Sequence, residues 1–216
     1  EKDIRLPFRF SSIAQYLNKN KIQALRSAGC IHGHIGVQSL NKELCSRILN
    51  RSSDNEKIAE TVFMLKEAGM SVRVDHMLGI PGDTLEMEEE SVLFYNRLRP
   101  HIISVYWLTY YPKTAIIDIA RQKNILSDQD IENIDEGRAY VNTSYHTGGS
   151  MKDPGSYYGI CLLLNWLVLL PKGVVRFLIK RKLYKKLSTK NYFVSVYFPR
   201  FLGAILYSKN FVDKEI

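Results

Sequence analysis

From Pro154 to Val212 the sequence contains no aspartate and no glutamate, although lysine and arginine are dense there. The net charge of +8 is therefore not spread over the chain. Residues 1–153 carry 19 Lys and Arg against 20 Asp and Glu, whereas residues 154–216 carry 11 against 2. Such a shift near Asp153, Pro154 and Gly155 marks a change of environment or partner, and it divides the chain into residues 1–150 and a basic region at residues 151–216. Cysteine is scarce too. Cys30, Cys45 and Cys161 are far apart and odd in number, which argues against a disulfide framework and fits no metal-binding spacing. The opening EKDIRLPFRF lacks an initiator Met, a basic n-region, an apolar core and a cleavage site, so a secretory signal is not expected there. A reducing, cytoplasmic setting is the expectation, as is a chain that forms part of a longer protein.

Long apolar runs are also missing. The longest, Ile160–Leu170, stops at Pro171 and Lys172, short of the roughly 20 residues that a helix needs to cross a bilayer. It reads as a helix packed on the rest of the protein. The following Val174–Lys186 reads as a basic amphipathic helix, with Val174, Val175, Phe177, Leu178, Leu183 and Leu187 on one side and Arg176, Lys180, Arg181, Lys182, Lys185 and Lys186 on the other. That pattern suits peripheral contact with an anionic membrane. Nucleic acid would attract the same charges, but aliphatic side chains outnumber stacking ones, so lipid is preferred. A third apolar segment runs from Tyr192 to Tyr207.

What is present before residue 151 is an alternation of strands and helices. Strand patterns start near Ile4 (IRLPFRF), Ile31 (IHGHIGV), Val72 and Ile102 (IISVYWL). Between them lie helices opened by Asn18 or Asn20, by Asn41 over Lys42–Asn50, by Asp54, and by Thr84 over Leu85–Leu98. Gly29, Gly69 and Gly137 stand where helices need a residue of positive φ, and Ser127 opens a further short helix to Glu136. Repeated βα units of this kind build a parallel sheet, and four are too few to close a barrel.

The centre of this pattern is Val72–Thr84, VRVDHMLGIPGDT. Period-two alternation places Asp75 on one strand face, and Gly79, Pro81 and Gly82 then turn the chain into a helix entrance. Ligands of α/β proteins bind at such carboxyl-terminal strand ends. Gln38 and Asp75 fall at or near neighbouring strand ends, where a carboxylate can accept from ribose hydroxyls and an amide can both donate and accept. A structural pairing of Asp75 with Arg73 or a helix N-terminus is the other reading. Arg51 could grip an anionic group bidentately or lie solvated at the surface. His32 and His34 share a strand face and, with His76, are metal ligands in principle, but without an accompanying carboxylate or cysteine cluster they read as core or loop histidines. Cys30 reads as a small buried hydrophobe.

The succession GVQSLNKE (Gly36–Glu43), MLKEAGMSVRVDHMLGIPGDT (Met64–Thr84), FYNRLRPHIISVYWLTYYPKT (Phe94–Thr114) and YHTGGS (Tyr145–Ser150) resembles the radical S-adenosylmethionine (SAM) superfamily, and within it the branch whose members often carry a cobalamin-binding domain. The resemblance implies an α/β fold, the C-terminal portion of a partial (β/α)6 TIM-like barrel, followed by a mainly α-helical basic tail. It implies SAM contacts from Gln38, Ser39, Arg51, Asp75, Gly79, Pro81 and Gly82, with Gln38 and Asp75 at the ribose, Arg51 at the SAM carboxylate and the glycine turn near the adenine. Lys113 replaces a glycine usual after Tyr-Pro, and a different local backbone is expected there.

The family's CxxxCxxC loop, whose thiolates hold a [4Fe–4S] cluster, is absent from this sequence. The expected reading is therefore the C-terminal half of an enzyme that cleaves SAM reductively, with the cluster ligands and any cobalamin domain outside this chain and a small-molecule or lipid-like substrate. A non-catalytic, nucleotide-binding half-barrel with a membrane-peripheral tail is the alternative. Either way, a sheet lacking its first strands should leave an unpaired edge at Ile4–Phe10 and an apolar inner face.

Overall fold

The computed structural model describes residues 6–138, 154–187, 189, 191 and 193–203. Ile4, Arg5 and the YHTGGS segment lie outside the described residues. Four strands, β1 (Phe8–Ser12), β2 (Cys30–Gln38), β3 (Ser71–Leu78) and β4 (Ile102–Trp107), form one parallel sheet in the order β1-β2-β3-β4. Spatial order that follows chain order is that of a barrel segment, since a doubly wound sheet reverses direction partway. Among the described residues the first strand begins at Phe8, directly after Pro7, which has no N–H to give to a ladder.

Each connection carries helix. α1 (Lys19–Ser27) links β1 to β2, α2 (Lys42–Arg47) and α3 (Asn55–Glu67) link β2 to β3, and α4 (Leu85–Leu98) links β3 to β4. Side-chain oxygens cap the orphan N–H groups at their starts: Asn18 accepts from Lys21 N, Asn41 from Leu44 N, Asp54 from Glu56 and Lys57 N, and Thr84 from Met87 N. Each cap is worth about 1 kcal/mol. The α2 helix stops at Arg47 rather than running to Asn50, which takes a left-handed φ of 47°. After β4, α5 (Ala115–Gln122) and α6 (Asp128–Asp135) form a satellite cluster around Ile117, Ala120, Leu126 and Ile134, and a reciprocal Ser127/Asp130 box opens α6. Lys113 precedes α5 with φ 59°, so this lysine adopts the left-handed backbone that glycine favours instead of a different one.

One hydrophobic core lies between one face of the sheet and the helices. Ile35, Val37, Val72, Val74, Leu78, Ile103 and Val105 from the strands meet Ile22, Ile58, Val62, Leu65, Val92 and Tyr95 from α1, α3 and α4. The basic region adds α7 (Pro154–Trp166) to this same core through Ile160, Leu163, Leu164 and Leu167. Arg99, left-handed at φ 52° after α4, reaches across and donates from Nη1 to the Leu167 and Leu170 carbonyls at 2.6 and 2.7 Å, which satisfies groups that the end of α7 leaves open. Asn96 Nδ2 donates to Lys172 O at 3.0 Å, and Lys182 Nζ lies 2.6 Å from Glu89 Oε1, to which the Tyr184 hydroxyl also donates.

The next helix, α8 (Lys172–Lys180), is shorter than the pattern over Val174–Lys186 suggested. Lys182 turns left-handed at φ 52°, and Leu183–Lys186 continue as a 3-10 turn. The expected apolar side is split: Val175 is buried, while Val174 and Phe177 are exposed. No helix among the described residues is long and apolar enough to cross a membrane.

Two glycines provide a paired test of this docking. A Cβ on Gly159 in α7 would overlap the Tyr184 carbonyl oxygen, which is backbone and cannot swing aside, while a Cβ on Gly173 in α8 meets nothing within 4 Å. Gly159→Ala should lower unfolding stability in urea by about 1–3 kcal/mol or more, as overpacking does. Gly173→Ala should leave it unchanged or raise it by up to about 1 kcal/mol.

Candidate functional site

Alternation along the strands sends Val72, Val74, His76 and Leu78 toward the helices and Arg73, Asp75 and Met77 to the other face. Through the parallel register, Ser11, His34, Asp75 and Ser104 share that second face on four successive strands. An apolar inner face was expected, and the structure corrects this: the face away from the helices is polar along its centre. The apolar half of the alternation is consumed by the helix-facing core.

Gln38 ends β2 with a left-handed φ of 68° at an irregularity in the β2–β3 register. Its Nε2 lies 3.6 Å from where a Cβ would stand on Gly36, so the amide folds back over the glycine on the open face. Arg51 comes to the same place from the α2–α3 loop and donates from Nη2 to the Gly36 carbonyl at 2.7 Å. The structure thus brings Gln38 and Arg51 together. Ser39 is turned inward: it is buried, its hydroxyl accepts from Asn41 N at 3.1 Å, and its carbonyl accepts from the Cys45 thiol at 3.2 Å.

Asp75 lies in the neighbouring strand, paired in register with Gly36 on one side and Ser104 on the other. Its Oδ2 is 2.6 Å from His34 Nε2, an approach off the line of a well-formed hydrogen bond. Its Oδ1 is buried with no hydrogen-bond partner and stands 3.9 Å from Arg73 Nε. Ser104 Oγ next door is likewise buried without a partner. An unpartnered buried acceptor costs about 1–3 kcal/mol, so this site gains from a ligand that brings hydroxyl donors. Arg73 does not resolve the deficit, because its Nη2 donates to the Tyr106 hydroxyl at 3.0 Å.

The β3–α4 turn sits at the end of the same strand. Gly79 and Gly82 have φ of 80° and 96°, Pro81 between them is buried, and Gly79 N donates to Asp83 Oδ2 at 3.2 Å. Beneath this turn lies a polar group that the sequence reading did not find. His76, fully buried on the core face, places Nε2 2.6 Å from Glu88 Oε2 and Nδ1 3.2 Å from the Tyr95 hydroxyl. Burial pushes the Glu88 carboxyl up to about 8 and the His76 imidazole down to about 4. Burial, then the Glu88 carboxyl, holds Asp83 well above the carboxylate range. A His at an inward strand position followed twelve residues later by Glu88 on the inward face of α4 was the available signal.

SAM and a [4Fe–4S] cluster are the groups that the sequence resemblance implies. For the nucleoside part of SAM the residues fit: Asp75 offers an unpartnered acceptor, and Gln38 and Arg51 stand at the adjoining strand end. For the cluster they do not. Cys30, Cys45 and Cys161 are buried on β2, α2 and α7, and no described residues gather three metal-binding side chains. His32 and His34 do share the open face, but His32 Nδ1 is bonded to Ser71 Oγ and His34 is turned to Asp75.

Comparison with known proteins identifies residues 2–95 as matching the radical SAM superfamily. No curated relative matches the chain. Among solved structures it is similar to coproporphyrinogen III oxidase (HemN) from Escherichia coli, a radical SAM enzyme, at 24% identity and TM-score 0.47 over 61% of this chain and 31% of that one. It is also similar to the radical SAM methyltransferase TsrM from Kitasatospora setae with cobalamin and a [4Fe–4S] cluster bound, at 22% identity and TM-score 0.50 over 54% and 23%. A third is Elp3 from the archaeon Methanocaldococcus infernus, at 17% identity and TM-score 0.48 over 64% and 33%. The chain spans about a third or less of each of these proteins.

The buried carboxyl group makes stability fall with rising pH. Between about pH 4.5 and 6.5 the folded chain holds the Glu88 proton but lacks the His76 proton, and against an unfolded chain with ordinary values of 4.5 and 6.5 the two offset. From pH 6.5 to 8 the unfolded His76 is neutral while folded Glu88 still keeps its proton, so the folded state binds more protons and loses stability as pH rises. The Glu88 share is about 2 kcal/mol over that window at about 1.4 kcal/mol per unit. Urea titrations at pH 6.5 and 8 should show the decline, and Glu88→Gln should reduce it. An unaltered slope in the variant would mean that Glu88 is ionised in the folded protein.

Proposed function

We propose that this chain, whose residues 2–95 match the radical SAM superfamily, supplies the nucleoside-binding part of a radical SAM enzyme core. The observation that carries this reading is the buried, unpartnered Oδ1 of Asp75 on the open face, one strand from Gln38 and Arg51. In this reading Asp75 and Gln38 hold the ribose hydroxyls, Arg51 attracts the SAM carboxylate, and the Gly79–Gly82 turn borders the adenine. Ser39 acts behind them by fixing the start of α2. Reductive cleavage of SAM at a [4Fe–4S] cluster is the chemistry that the cofactors supply when bound.

The cluster ligands belong to another part of the protein, a missing N-terminal half that pairs with the free edge of β1. Support for this comes from the exposed Leu6 and Phe8 at that edge and from the 23% of the TsrM chain that this chain spans. Cobalamin dependence is a further extension, supported by the fold likeness to TsrM, the cobalamin-bound neighbour. The substrate, small-molecule or lipid-like, would be bound mainly by that other half.

Asp75→Asn in the full-length protein is the direct test. Loss of a charge-assisted acceptor should weaken SAM binding by about 10- to 100-fold in calorimetry while the fold persists, a loss of roughly 1.5–3 kcal/mol. Unchanged affinity would return Asp75 to a structural role. Anaerobic reconstitution of the full-length protein with iron and sulfide should then give 5′-deoxyadenosine from SAM, and failure to form both cluster and product would leave the non-catalytic, nucleotide-binding reading.

A second reading concerns location, and one observation favours it: Phe177, Phe193, Tyr197 and Phe201 are exposed in a region with basic residues and no acidic ones. We propose that this protein is cytoplasmic and touches anionic membranes peripherally through these aromatic rings and the surrounding lysines and arginines, each charge contributing about 1 kcal/mol near such a surface. The chain should co-sediment with phosphatidylserine vesicles at low salt and be released at high salt. Binding that survives neutralisation of Lys180, Arg181 and Lys185 would sink the electrostatic version.

A further inference from the structure

The open face holds one contact that neither the nucleoside reading nor the core packing uses. His34, on β2, reaches Asp75 on β3 with Nε2 2.6 Å from Oδ2, while its other nitrogen, Nδ1, lies 3.3 Å from Ser11 Oγ on β1. Three strands thus contribute to one row of polar side chains that ends at the carboxylate. We infer that His34 is a positioning residue: held by Ser11, it stands against Oδ2 of Asp75 and restrains the turn of the carboxylate, so that the buried, unpartnered Oδ1 is the oxygen left to accept from a ribose hydroxyl. This rests on the assignment of Asp75 to the ribose.

Several features of the face support His34 rather than its neighbours in this role. Arg73 also approaches Asp75, but it is farther, at 3.9 Å, and its guanidinium is drawn toward the Tyr106 hydroxyl. Ser104, the register partner of Asp75, keeps its hydroxyl unbonded. His32, two residues before His34 on the same face, is bonded to Ser71 and leaves the row. The Asp75 side chain is only 14% exposed, so rotation about its χ2 is confined by what touches it, and His34 is the nearest polar contact. A carboxylate fixed through one oxygen distinguishes a ligand by a single hydroxyl. A free carboxylate, by contrast, can straddle both hydroxyls of a ribose.

The experiment uses S-adenosylhomocysteine, which needs no electron and no cluster turnover, and its 2′-deoxy and 3′-deoxy analogues as calorimetric probes of the full-length protein. The wild type should prefer the ribose form over one of the two deoxy analogues by about tenfold. His34→Ala, by freeing the carboxylate to straddle both hydroxyls, should erase the difference between the two deoxy analogues, and His34→Gln, whose amide N–H can stand where Nε2 stood, should restore it. In an Asp75→Ala background, His34→Ala should have no further effect, since a residue acting through Asp75 is silent without it. A His34→Ala variant that keeps the hydroxyl preference, or one that weakens all three probes equally, overturns the inference while leaving the ribose assignment standing. Asp75→Ala with unaltered affinity for every probe, or no saturable binding by the wild type, overturns both. Without any ligand, Asp75→Asn should shift the ring resonances of His34 well beyond those of His32 and His101 in the NMR spectrum of the 216-residue chain, and equal shifts would also defeat the proposal.

Discussion

The structure depends on one constraint, the two-residue alternation of β3, which serves two environments at once. Val72, Val74, His76 and Leu78 must enter the helix-covered core, and their neighbours Arg73 and Asp75 are then forced to the opposite face. A shift of one residue would bury Asp75 among leucines and expose the core. The register of β2 and β4 on either side follows from the same requirement, and it is this register that sets Gly36, Asp75 and Ser104 in one row. The candidate nucleoside site is therefore a by-product of packing as much as of chemistry.

His76 is the one polar residue that this alternation sends inward, and the core accommodates it by supplying Glu88 and Tyr95 from α4. A buried histidine without such partners would cost several kcal/mol. The arrangement ties the end of β3 to the first turn of α4 and, through Asp83, to the Gly79 amide. Polar groups thus hold the turn from below while the same turn borders the proposed adenine position above. Rigid support of this kind is what a binding loop needs if its own backbone is to serve as the recognition surface.

The basic region is held by a comparable device. α4 meets the region through Glu89, Asn96 and Arg99, which together engage α7, α8 and the turn after it. With its apolar side chains committed to the shared core, α7 behaves as one more helix of the barrel wall. The exposed aromatic rings and most of the lysines lie farther along the chain, on α8 and after it, in a stretch that has no acidic residue of its own. Interior packing and surface charge are thereby separated within a stretch that its composition alone makes look uniform.

The sequence by itself determined the parallel α/β arrangement, because caps such as Asp54 and Thr84, the glycines at Gly29 and Gly69, and period-two strands are local signals that hydrogen bonding and sterics enforce on the spot. It also pointed to Gln38, Arg51 and Asp75, which the fold sets near one another, Gln38 at the end of β2, Arg51 bonded to Gly36 from the α2–α3 loop, and Asp75 in register with Gly36 on β3. Only the tertiary structure decided that Ser39 faces inward, that the open face is polar rather than apolar, that β1 starts after Pro7, and that the amphipathic pattern after Pro171 breaks at Lys182. It alone placed His34 on Asp75 and Glu88 on His76. These last two pairings join residues 41 and 12 positions apart, and no local periodicity encodes which partner a side chain meets once strands and helices have packed.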